Sequence, residues 1–253
     1  MRFQLERRRR AWLRTNPGCN IVHQRCEIPR LKPQIAITQR REARQSGAPN
    51  TVVLADAGYG NDAAFRASVG ELGLHYAVGI QSSTRVWPPG LAPLPAVPST
   101  GKLGRPRSLQ RRVPGYDPVA VKDLALALDP SCYHTVSWRE GNRAALSSRF
   151  AALRVWTSHR DNWRATPRDE EWLLIEWSLG GIEPTKYWLS TLPEETVVQH
   201  LVHVAKMRWR IKRDCQDLKQ EFGLGHLRDV GGVVLIITHL YALPPLDFSS
   251  HSA

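Results

Sequence analysis

The order of apolar runs between Pro33 and Ile80 constrains the fold more than any other feature of the chain. "PQIAITQRREAR" (33–44) suits a helix, with a proline at its first position and Gly47 as the stop. "TVVLAD" (51–56) is a short apolar run that ends in Asp56 and a glycine turn, "AGYGN", and it reads as a buried strand. Asp62 stands where an N-cap belongs, ahead of "AAFRASVGEL", and "LHYAVGI" supplies a second strand. Helix, strand, helix, strand predicts an α/β fold with a parallel sheet, because parallel neighbours need a crossover between them. In such sheets reactive groups gather at the carboxyl ends of strands, where Asp56 falls. Asp56 is therefore either a site residue or only the cap of the turn that follows it.

The chain changes character on both sides of this unit. Residues 1–32 carry no sustained period and include a basic block, Arg7 to Arg10, so an irregular segment is expected. Residues 86–118 are crowded with Pro and Gly and read as a long loop. Its cluster of Lys102, Arg105, Arg107, Arg111 and Arg112 either tracks a phosphate backbone or is simply solvated. Residues 119–190 hold the strand-like runs "CYHTVSW", "FAALRVWT", "EWLLIEWS" and "TKYWLS", the last two joined through Gly180 and Gly181 as in a hairpin. Trp138, Trp156, Trp163, Trp172, Trp177 and Trp188 fall in this β-rich stretch, and most are expected in the core, with one or two free to stack on an unpaired base.

Composition narrows the function classes. A formal charge of +12 over 253 residues points to a polyanionic partner, nucleic acid first, since clustered Lys and Arg gain affinity by releasing counterions. Cys19, Cys26, Cys132 and Cys215 show neither paired zinc-ligand spacing nor a dense disulfide framework, which predicts a reduced, cytoplasmic protein. The basic start is not followed by the apolar core of a signal peptide, and the longest apolar run, "VVLII", is too short to span a bilayer.

Residues 191–227 read as a long helix, with Pro193, Glu194 and Glu195 at its start and Gly223 at its stop. Val197, Leu201, Val204, Arg208, Ile211, Cys215, Leu218 and Phe222 recur at steps of four and three, so one side is apolar except for Arg208. Arg208, Lys212 and Lys219 share a neighbouring side. A guanidinium inside an apolar seam predicts a cation held at the margin of a site.

"KMRWRIKRDCQDLK" in this helix resembles the signature of insertion-sequence transposases of the DDE superfamily, in the branch marked by Tyr, two residues, Arg, three residues, Glu, six residues, Lys. Arg208 and Lys219 match the Arg and Lys, while Ala205 stands for the Tyr and Lys212 for the Glu. "VVLADAGYGND", "WREGN" with "SRFAALRV", and "EWLLIEWSLGGIEPTKYWLSTLP" resemble successive blocks of one transposase subgroup, in order.

The resemblance implies a ribonuclease-H-like core, here partial (33–85), a β-rich insertion (119–190), and a signature helix (191–227) that completes the core. It implies two Asp and one Glu holding two divalent metals, Mg²⁺ or Mn²⁺, for cleavage and transfer of DNA strands. Asp56 is then the second Asp and a metal ligand. DNA at the element ends becomes the partner, with Arg105, Arg107, Arg111, Arg112, Arg208 and Lys219 as contacts. A homodimer working at the nucleoid is the implied setting.

Two departures oppose catalysis. Lys212 reverses the charge of the family Glu, and no Asp precedes Asp56 to serve as the first carboxylate; the upstream acids are Glu6, Glu27 and Glu42. A third departure is the tail, 228–253, which lacks the basic Trp-containing block of the family. A chosen set of codons for Asp229 to Val234, shifted by one nucleotide, restores Gly-Arg-Gly-Trp-Arg-Gly, so an out-of-frame end is expected. The expectation is an inactive transposase descendant that at most binds DNA.

Overall fold

The computed structural model describes residues 32–47, 52–94, 115–140, 145–158, 167–208 and 220. Helix α1 (Lys32–Gln45) has Pro33 in its first turn and is followed by Gly47 at φ +87°, as its punctuation predicts. Strand β1 (Val53–Ala55) leads through Asp56 into a single turn, α2 (Ala57–Gly60), and then into α3 (Ala63–Glu71). Asp62 caps α3, its Oδ1 accepting from Ala64 N at 2.8 Å and Phe65 N at 3.4 Å. Strand β2 (Tyr76–Ile80) lies parallel to β1, with Val53 opposite Tyr76 and Ala55 opposite Val78.

The parallel pairing expected for 33–80 holds for β1 and β2 and does not extend to the rest of the sheet. β3 (Arg85–Trp87), β4 (Val119–Ala120), β5 (His134–Glu140), β6 (Ala145–Thr157), β7 (Glu171–Ser178) and β8 (Lys186–Ser190) join antiparallel. The order is β1-β2-β8-β7-β6-β3-β4, with β5 on β6. One mixed, mostly antiparallel sheet therefore takes strands from both the 33–85 and the 119–190 segments. β7 and β8 form the predicted hairpin: Gly180 adopts φ +77°, and the Trp177 indole donates to Gly181 O at 2.8 Å.

Two further corrections are local. β3 and β4 border a stretch expected to be only loop; with three and two residues, they are too short to show a period. Trp87, at the end of β3, is the most buried tryptophan described, at 1% exposure. Within the β-rich segment "VKDLALA" forms a helix, α4 (Val121–Ala127), whose Val121, Leu124 and Ala125 are buried at the i, i+3, i+4 positions of one face.

The two-residue period of the strands sorts side chains onto two faces. Tyr76, Val78, Leu173, Ile175, Tyr187 and Leu189 point to a core shared with Ala36 of α1, Phe65 and Val69 of α3, and α4. Ala77, Leu174, Trp188 and Phe150 point the other way, to a core closed by Leu201, Val202, Val204 and Ala205 of α5 (Val198–Lys206). Each fully buried Leu or Ile here contributes about 1.5–3 kcal/mol relative to exposure. α5 begins later than Pro193 suggests: Thr196 N bonds Pro193 O at 3.1 Å, so residues 193–196 close a turn before the helix.

Candidate functional site

The alternation of β1 decides which way Asp56 faces. Val53 and Ala55 pack on the core of α1 and α3, and Leu54 on that of α5, so Asp56 follows Leu54 onto the α5 face. Its backbone is extended, and its Oδ1 accepts from Gly58 N at 3.1 Å, capping α2. Close packing holds this turn in place. A Cβ at Gly60 would lie 2.0 Å from Gly79 O of β2, so only glycine lets α2 sit against the strand.

Arg208, just past the end of α5, reaches the other oxygen of this carboxylate. Its Nη2 donates to Asp56 Oδ2 at 2.8 Å, across 152 positions of sequence. Asp56 thus caps the turn, as one expectation had it, and also pairs with the seam cation. The pair is half in water, with side-chain exposures of 38% for Arg208 and 45% for Asp56.

A two-metal centre needs several carboxylates converging on one point. Among the described residues no group of three His, Cys, Asp or Glu side chains is placed to hold a metal ion. Asp56 has a guanidinium at 2.8 Å where a cation would bind, so the described residues do not fit Mg²⁺ or Mn²⁺. Ala205, which the resemblance sets at the signature Tyr, is buried in the core. Lys212, Lys219, Arg105, Arg107, Arg111 and Arg112 lie outside the described residues, as do residues 1–31 and the tail, 228–253.

Two buried charge clusters went unpredicted, one on each face of the sheet. On the α5 face Lys206 donates to Glu176 Oε1 at 2.5 Å, and Ser148 Oγ donates to the same oxygen at 2.9 Å. The Lys206 ammonium lies 4.3 Å from the Trp138 ring centre and 5.5 Å from those of Phe150 and Trp188. Burial holds its pKa below the usual lysine value despite the opposing pull of Glu176. On the opposite face burial pushes the Glu171 carboxyl up, against the pull of Arg66 and hydrogen bonds from Tyr76 and Thr157. Arg66 itself donates to Gly60 O. The only local hint of either cluster is a carboxylate inside the apolar run "EWLLIEW".

The tryptophans behave largely as core. Trp188 is buried, Trp138, Trp172 and Trp177 pack partly buried on the two cores, and Trp163 lies outside the described residues. No helix among the described residues is long and apolar enough to cross a membrane.

A family model described as DDE superfamily endonuclease matches residues 22–145. The match contains β1 and Asp56 and ends before α5. It supports a DDE-type, transposase-like family, with nuclease-type chemistry by ancestry and DNA as the substrate. No curated protein matches the chain.

Proposed function

We propose that the chain is a DNA-binding descendant of DDE transposases, of the Tyr-Arg-Glu-Lys signature branch, in which strand cleavage has been lost. The observation that carries this reading is the Asp56–Arg208 ion pair, which neutralises the one carboxylate aligned with the family site. A divalent ion at Asp56 would face that guanidinium at close range, a repulsion on the order of several kcal/mol at moderate effective dielectric. Lys212 at the family Glu position adds a second cation.

What persists is charge suited to DNA: +12 overall, with Arg105, Arg107, Arg111, Arg112 and Lys219 as further contacts. Element ends are the DNA this ancestry favours, bound by a homodimer at the nucleoid. The test is incubation of the full chain with supercoiled plasmid and Mg²⁺ or Mn²⁺, beside a binding titration at rising salt. Salt-sensitive binding without nicking is the expected result. Metal-dependent nicking that disappears in Asp56→Ala would overturn the loss of catalysis.

A further inference from the structure

A cleft of about 300 Å³ opens beside the C-terminal end of β2, where Asn61, Arg66, Ser83, Arg85, Thr157 and Ser158 line it. Every residue that lines it is of a polar type; two are arginines and none is a carboxylate. Asp56 and Asn61 flank the same helical turn, α2, so the cleft adjoins the candidate site along the chain.

Three of these side chains are held from behind, and two of them leave donors unused. Asn61 Oδ1 accepts from Gln81 N at 3.0 Å and from Thr84 Oγ1 at 3.3 Å, which fixes the carboxamide and leaves its Nδ2 without a described acceptor. Arg85 gives Nη1 to Pro118 O at 2.9 Å and keeps the rest of its fork. Arg66 is 3% exposed and anchored on Gly60 O, so it contributes fixed positive charge to the wall of the cleft. Fixed N–H donors around a positive, acid-free lining match the oxygens of a phosphoryl anion, and the ordering of these side chains is already paid for by the fold.

We infer that this cleft is an anion subsite that takes one backbone phosphate of the bound DNA strand. The inference rests on the DNA-binding reading above and adds to it a place where the strand is gripped. Two substitutions test it in the full chain. Arg85→Gln removes one exposed charge; Asn61→Asp keeps the acceptor for Gln81 N and Thr84 but replaces the free amide donors by a carboxylate oxygen.

Binding of a short labelled duplex is measured across a salt series, with inorganic phosphate as a separate probe by thermal melting. Arg85→Gln should lower the slope of log K against log salt by about 0.9 and weaken unrelated sequences alike. Asn61→Asp should weaken binding several-fold as well, and if it does not fold, Arg85→Gln alone decides. Wild-type slope and affinity in Arg85→Gln would overturn the inference while sparing the DNA-binding reading. So would phosphate raising the melting temperature of the wild type alone while DNA binding stays unchanged, because the cleft would then hold free phosphate. If the wild type itself fails to bind DNA at low salt, the broader reading falls and this one with it.

Discussion

Lys206 and Arg208 stand two residues apart at the end of α5, and each ends on a carboxylate of the sheet, yet they meet different surroundings. Lys206 and Glu176 are 8% and 4% exposed and sit among Trp138, Phe150 and Trp188. Arg208 and Asp56 are 38% and 45% exposed, at the end of β1. The difference follows from position: Glu176 belongs to β7, between β6 and β8, whereas Asp56 lies just past the last residue pair of β1, the first strand of the sheet. One helix thus anchors itself with a dry ion pair and closes the candidate site with a wet one. The dry pair specifies how α5 docks. The wet pair sets what the strand end offers to solvent and ligands.

Breaking the dry pair on one side should have the largest effect. Lys206→Met leaves the Glu176 carboxylate buried with Ser148 Oγ at 2.9 Å and Lys186 at 3.8 Å, and should lower unfolding free energy in urea by about 3–5 kcal/mol. The double variant Lys206→Met, Glu176→Leu should recover most of that loss, because desolvation of the ammonium already outweighs the pull of its partner. The same balance has a sign in pH. The folded-state pKa of Lys206 is lowered, so the folded chain binds fewer protons there than the unfolded one. Its contribution to stability should therefore rise with pH in the window ending at the ordinary lysine value of 10.5, and Lys206→Met should abolish that rise. A single variant with near-native stability would show that the pair is not an anchor.

Gly60→Ala should come next, and it perturbs the wet region from the other side. The new methyl would fall 2.0 Å from the backbone oxygen of Gly79, and a strand oxygen cannot turn aside as a side chain can. Displacement of α2 should cost about 1–3 kcal/mol, by the usual scale of overpacking. The shift should also move Asp56 off Gly58 N and away from Arg208. DNA binding should weaken together with stability if the strand end and the cleft beside it form one surface. Loss of stability with unchanged binding would separate the two.

How much of this was legible depends on how local each signal is. α1, the Asp62 cap and the β7–β8 hairpin rest on residues within a few positions of one another, and they appear where the pattern puts them. The antiparallel majority was not legible, because β2 pairs with β8 across more than a hundred residues and no local period encodes that partner. The same holds for the pairing of Glu176 with Lys206, 30 positions apart, since the carboxylate inside an apolar run gives no sign of which cation it meets. Arg208 was the exception: a guanidinium in an apolar seam stood out locally, and it meets the carboxylate that follows the first strand.

The smallest expected effect on stability is the most informative about function. Asp56→Asn and Arg208→Gln should each shift unfolding by no more than about 1 kcal/mol, and a double-mutant cycle should give a coupling of about 0.2–1 kcal/mol that shrinks as salt rises. Half-exposed partners give back most of their Coulomb gain to water and to side-chain entropy, so little remains to hold the fold together. A coupling well above that range, or one insensitive to salt, would make the wet pair a second anchor and erase the contrast with Lys206. A small coupling would mean that the fold does not require Arg208 at the carboxylate. The guanidinium would then act chiefly on the charge that the strand end presents, which is the property that separates a DNA-binding surface from a metal-binding one.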